Sequence, residues 1–143
     1  MSWSERGNLA RHKRGMLDAM HTHTQAPQPT LYYDGSCGMC QREIDHLRPR
    51  LEASGIKLTD ISAADFEAPS GYSLTAMMER IHFYNGQQML VGFPATLAYW
   101  RLGGPLLSVV ARLFSLPGLF HLADFAYNRW AAWRMRGQNC EPR

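Results

Sequence analysis

The segment "TLYYDGSCGMCQREIDHLRPRLEASGIKLTDIS", Thr30 to Ser62, restricts the fold more than any other part of the chain. "TLYYD" is β-branched, apolar and aromatic and stops at Asp34-Gly35, the pattern of a buried strand ending in a turn. Ser36 follows as the predicted N-cap of a helix in which Cys40, Ile44, Leu47 and Leu51 recur at helical spacing. Pro49 is expected to kink that helix and Gly55 to end it. Ile56 to Ser62 then alternates as a second strand. A strand, a crossover helix and a strand form a βαβ unit, which is parallel and right-handed.

The remainder extends this unit. After the loop "AADFEAPSGY" a short helix is predicted near Leu74 to Glu79, and Asn85-Gly86 between two apolar runs signals a hairpin. Pro94, Pro105 and Pro117 are each placed to start a helix. The expected fold is therefore α/β: a mixed four-stranded sheet in the order βαβαββα, covered by helices, with extra C-terminal helices. A chain of 143 residues suits one such domain. We place it at residues 30–136, between a flexible leader, 1–29, and a flexible tail, 137–143. The leader holds His12, His21 and His23, the proline-broken stretch "THTQAPQPT", and Met16 and Met20 as alternative starts.

Composition narrows the function. With 19% charged and 45% apolar residues the chain has a globular balance, and a net charge of +3 without a dense basic stripe argues against nucleic acid as a partner. Cys37, Cys40 and Cys140 are too few for a disulfide-stapled secreted domain, so a close pair in a reducing compartment is expected to be catalytic or metal-binding. No apolar signal region is present near the start, and Arg101, Arg112 and His121 interrupt the most apolar region, so a cytoplasmic location is expected.

Chemistry centres on Cys37-Gly38-Met39-Cys40, a C-x-x-C between strand and helix. Helix N-termini present free N–H groups and the positive end of the macrodipole, which favour a thiolate. Cys37 is the expected nucleophile, and Cys40, one turn on along the same face, the expected resolving thiol. Asp34 carries two readings: a carboxylate that takes the proton Cys40 must lose or fixes the loop, or an Asx-turn residue beside Gly35. Arg42 is read as a surface residue, and His46 falls nearly opposite the pair on the helix. The implied partner is a thiol or disulfide substrate, the cysteine pair serves in place of a cofactor, and the sequence assigns no oligomeric state.

Asp34-Gly35-x-Cys37-x-x-Cys40 after an apolar strand resembles the DCC family of thiol-disulfide oxidoreductases, named for that aspartate and cysteine pair. The resemblance extends from about Leu31 to Arg136, through Gly92, Ala95, Tyr127, Ala131 and Arg134. It implies a thioredoxin-like fold and activity of the protein-disulfide reductase type. Wider thioredoxin-like proteins place a cis-proline opposite the dithiol; here that position falls near Met78-Glu79, without proline, and Pro94 comes after the hairpin.

Other readings compete. A zinc site needs two further ligands, for which His82, His121 and Cys140 are candidates without paired spacing. An aspartyl phosphatase needs a second aspartate two positions after Asp34, where this chain has Ser36. A binding or membrane-peripheral module would use the aromatic C-terminal region, Trp100, Phe114, Phe120, Phe125, Tyr127, Trp130 and Trp133, although most of these are expected in the core. Arg129, Arg134 and Arg136 would then contact anionic lipid or simply solvate the helix end.

Overall fold

A strand that alternates between two apolar faces needs a cover on each, and β1 (Thr30–Tyr33) is built that way. The computed structural model describes residues 27–137; the leader histidines, Met16, Met20 and Cys140 lie outside the described residues. From β1 the chain passes through α1 (Gly38–Ala53), β2 (Lys57–Asp60), α2 (Leu74–Glu79), β3 (His82–Tyr84) and β4 (Met89–Val91). It ends in α3 (Phe93–Trp100), α4 (Pro105–Leu113) and α5 (Pro117–Gly137). The sheet order is β2-β1-β3-β4. β1 pairs β2 in parallel and β3 antiparallel, and β3 pairs β4 antiparallel. This is a mixed α/β fold compatible with the thioredoxin-like arrangement.

Leu31 faces the main core with Ile44, Leu47 and Leu51 of α1, Phe83 of β3, and Ala95 and Tyr99 of α3. On the other face Tyr32 packs with Ile61, Met77 and Met78 around α2. A third cluster, Phe93, Leu97 and Ala111 with Phe114, Phe120 and Tyr127 against it, ties α3 to α4 and α5. These contacts hold the last helix close to the end of the sheet where β1 meets α1.

Several local expectations differ in detail from what forms. The N-cap of α1 is Cys37, not Ser36, because the Ser36 N–H and hydroxyl both donate to Asp34 Oδ1 and close the turn one residue early. Pro49 falls inside α1, which runs on to Ala53, and Gly55 follows the Ser54 cap at φ 77°, a left-handed conformation that favours glycine. The hairpin is closed by Asn85–Gln88 rather than by two residues, since Asn85 Oδ1 accepts the N–H groups of Gln87 and Gln88, each at 2.9 Å. Helices α4 and α5 begin at Pro105 and Pro117, and Pro94 lies in the first turn of α3.

The C-terminal aromatic residues divide. Phe114, Phe120 and Tyr127 pack inward, as expected for most of the set, whereas Phe125 and Trp133 are 66% and 68% exposed. None of the described helices is long and apolar enough to cross a membrane; α4 and α5 reach the length only together, bent by 102°.

Candidate functional site

The parallel strands β1 and β2 end side by side in two aspartates, and both carboxylates are used to shape the cysteine loop. Asp60 Oδ1 accepts the Gly35 N–H at 2.9 Å and the Ser62 N–H at 2.8 Å. Burial raises the Asp60 pKa, but the hydrogen bonds from Ser62 and Gly35 outweigh it and leave the carboxyl below its ordinary value. A Cβ on Gly35 would overlap that carboxylate. Gly35→Ala is therefore expected to lower stability by roughly 1–3 kcal/mol in a denaturant melt, because Asp60 must leave its donors unpaired. Asp60 was not among the residues singled out in the sequence; the Asp-x-Ser pattern at Asp60 and Ser62 is the signal that could have found it.

Asp34 is buried, 6% exposed, and forms the Asx turn that was one of the two readings considered for it. Its Oδ1 closes the Asx turn with Ser36, while its carbonyl accepts the Cys37 N–H at 3.2 Å. Its other carboxylate oxygen, Oδ2, lies 3.9 Å from Arg134 Nη1. Turn formation and electrostatics thus use different oxygens of one side chain.

Arg134 is the main residue the sequence reading misplaced. It neither solvates the end of α5 nor faces lipid; it is 8% exposed and turned onto the cysteine pair. Nη1 donates to Cys40 Sγ at 3.3 Å, and Nη2 donates to the Met78 carbonyl at 2.7 Å. The guanidinium also lies over the Trp130 ring, 5.5 Å from its centroid. Met78 and Glu79 stand near the position at which the resemblance to thioredoxin-like proteins leads one to expect a cis-proline. Here the Met78 carbonyl is taken by an arginine that comes from 56 residues along the chain. Arg42 and His46 are exposed on α1.

These groups split the two thiols. Burial alone would raise the Cys37 pKa, but the Cys40 N–H, the Arg134 guanidinium and the Cys40 thiol all donate to the sulfur once it ionises, and the net direction is down. For Cys40, burial, the hydrogen bond to Cys37 and the adjacent Cys37 charge push the pKa up to about 12, against the pull of Arg134. Of the two sulfurs, Cys37 is therefore the more readily ionised and Cys40 the more firmly protonated. Both thiols are free. Cys37 is only 1% exposed, whereas Cys40 is partly exposed and lines a cavity of about 190 Å³.

No group of three or more His, Cys, Asp or Glu side chains among the described residues is arranged to hold a metal ion. His82 is buried in β3, with Nδ1 2.9 Å from the Arg80 carbonyl, and His121 packs edge-on to Phe120.

Comparison with known proteins places this geometry in context. The family model described as DCC1-like thiol-disulfide oxidoreductase matches residues 31–139. A chloroplastic protein of Arabidopsis thaliana, described as uncharacterized, is 32% identical over 110 residues, which cover 74% of this chain. The chain spans about half the length of that curated relative, 50%. No solved structure matches.

Proposed function

The chain belongs to the DCC1-like thiol-disulfide oxidoreductase family, and from that premise we propose that it is a thiol-disulfide oxidoreductase of the protein-disulfide reductase type, with Cys37 attacking and Cys40 resolving. The observation that carries this reading is the buried Arg134, which touches the cysteine pair and pairs with Asp34. A fixed cation here stabilises the Cys37 thiolate before substrate arrives and keeps it a good leaving group afterwards.

In the proposed cycle the Cys37 thiolate attacks one sulfur of a substrate disulfide and expels the other as a thiolate. Cys40 then loses its proton and attacks the Cys37 sulfur of the mixed disulfide, releasing the second substrate thiol and leaving Cys37–Cys40 oxidised. The Cys40 pKa is far too high for spontaneous ionisation at neutral pH. Formation of the mixed disulfide removes the Cys37 charge that helped raise it, and the departing thiolate or Asp34 takes the proton. Presentation of Cys37 requires the exposed first turn of α1, at Gly38-Met39, to shift, and the substrate is held by contacts other than backbone pairing at Met78.

The order of attack is tested with glutathione disulfide and intact-protein mass spectrometry. Cys40→Ser is expected to accumulate a stable adduct on the Cys37 peptide, while the wild type passes through it to the internal disulfide. An adduct confined to Cys40 in the wild type and absent from Cys40→Ser would reverse the assignment.

A second reading, peripheral contact with an anionic lipid surface, is favoured by one observation. Leu106, Leu113, Leu122 and Phe125 are 76%, 53%, 66% and 66% exposed on α4 and α5, which also carry the exposed Arg112 and Arg129. Flotation with anionic vesicles at low salt is expected to carry the protein upward; protein left in the soluble fraction contradicts this reading.

A further inference from the structure

A dithiol that reduces one disulfide must itself be re-reduced, and the structure offers a separate approach for the second reactant. Resting on the exchange reading above, we propose that the cavity behind the dithiol binds a small thiol with an apolar, ring-sized body, which reduces the oxidised pair by attacking Cys40 Sγ. The cavity is lined by Cys40 and not by Cys37. Phe93, Tyr99, Trp100, Tyr127 and Trp130 give it a largely apolar, aromatic side, beside the charged Asp34, Glu43, Arg80 and Arg134. Its volume of about 190 Å³ exceeds the roughly 150 Å³ in which an apolar protein cavity holds benzene.

Two further observations favour a thiolate over a plain hydrocarbon. Arg134 lines the same cavity, is more than nine-tenths buried, and has an Nε–H without a hydrogen-bond partner among the described residues. A buried cationic donor without an acceptor is costly, and an incoming sulfur anion would satisfy it. The two carboxylates of the lining are already engaged: Glu43 Oε1 accepts from Tyr99 Oη at 2.8 Å and Trp100 Nε1 at 2.7 Å, and Asp34 Oδ2 lies 3.9 Å from Arg134 Nη1. A tripeptide thiol with several charges fits this wall poorly, whereas an aryl-methyl thiol fits both the rings and the donor.

The step balances without another reactant. The thiolate RS⁻ forms a bond to Cys40 Sγ as the Cys37–Cys40 bond breaks, and Cys37 leaves as the thiolate. A second RS⁻ attacks the sulfur of R in the mixed disulfide, giving RSSR and the Cys40 anion, which takes a proton. Two small thiols are oxidised and one protein disulfide is reduced. Attack at Cys40 makes Cys37 the leaving group, and the thiol with the lower pKa leaves faster.

Oxidised full-length protein should be mixed with phenylmethanethiol or glutathione, quenched with N-ethylmaleimide and mapped by peptide mass. The expected rate for phenylmethanethiol saturates, exceeds that of glutathione per thiolate by about tenfold to a hundredfold, and proceeds through an adduct on Cys40. Benzyl alcohol, which has the same ring but no thiol, is expected to slow phenylmethanethiol and leave glutathione unaffected. Equal linear rates, an adduct on Cys37, or no effect of benzyl alcohol would overturn the cavity assignment while leaving exchange itself intact. Failure to form any Cys37–Cys40 disulfide would overturn the exchange reading and this inference together.

Discussion

Replacing Cys37 with serine is expected to abolish disulfide exchange, with turnover falling by more than about a thousandfold while the fold is retained. A hydroxyl is isosteric enough to remain beside Arg134 in this buried position, but it has no accessible anion and forms no disulfide. The measurement is turnover of a protein disulfide with a thiol donor, beside a circular dichroism spectrum. Cys40→Ser is expected to fail differently, after the first attack, as a trapped mixed disulfide. If Cys37→Ser kept a tenth of the activity, the catalytic centre would lie elsewhere.

Arg134→Met is the second large effect and acts on both stability and reactivity. The Arg134 and Asp34 side chains are 8% and 5% exposed, so removal of the cation leaves a buried carboxylate with only its Ser36 donors. Removing one partner of a buried ion pair costs about 3–5 kcal/mol, which a denaturant melt reads directly. The Cys37 pKa is held down in part by Arg134, so the pH profile of alkylation rises to half its maximum below the ordinary thiol range in the wild type. The sign follows from which form reacts: the thiolate does, so loss of the stabilising cation moves the midpoint up. Exchange at pH 7 should fall by roughly a hundredfold to a thousandfold, the usual scale for losing a donor to a reacting anion. Arg134→Lys restores the charge without the fork and is expected to recover part of the pH shift but little of the Met78 hydrogen bond. A midpoint unchanged in Arg134→Met would remove Arg134 from the mechanism and leave it a packing residue.

The contrast between these two residues shows what the sequence could reveal. Cys37 and Cys40 were legible because strand, turn and helix follow one another within a short stretch, each with its own local signal. The same holds for the parallel βαβ unit, the antiparallel hairpin and the three helices with a proline in their first turn. Arg134 contacts a cysteine 94 residues away, and no local pattern encodes that distance. Between Arg129 and Arg136 it looks like one more solvated charge at a helix end; only the packing of Phe93, Phe120 and Tyr127, which brings α5 back over the site, turns it inward. Asp34 was divisible into two readings because a sequence cannot show that its two oxygens face different partners. The resemblance to the family did include Arg134 among its matching positions, but gave no reason for it.

Redox equilibration shows whether Cys37 and Cys40 form a redox couple. Full-length protein is brought to equilibrium across a series of glutathione buffers, quenched by alkylation, and the fraction of Cys37–Cys40 disulfide is measured by mass spectrometry. The account predicts one two-electron transition in which both thiols disappear together, absent from Cys37→Ser and Cys40→Ser. Two thiols that stay alkylatable throughout the series would contradict it.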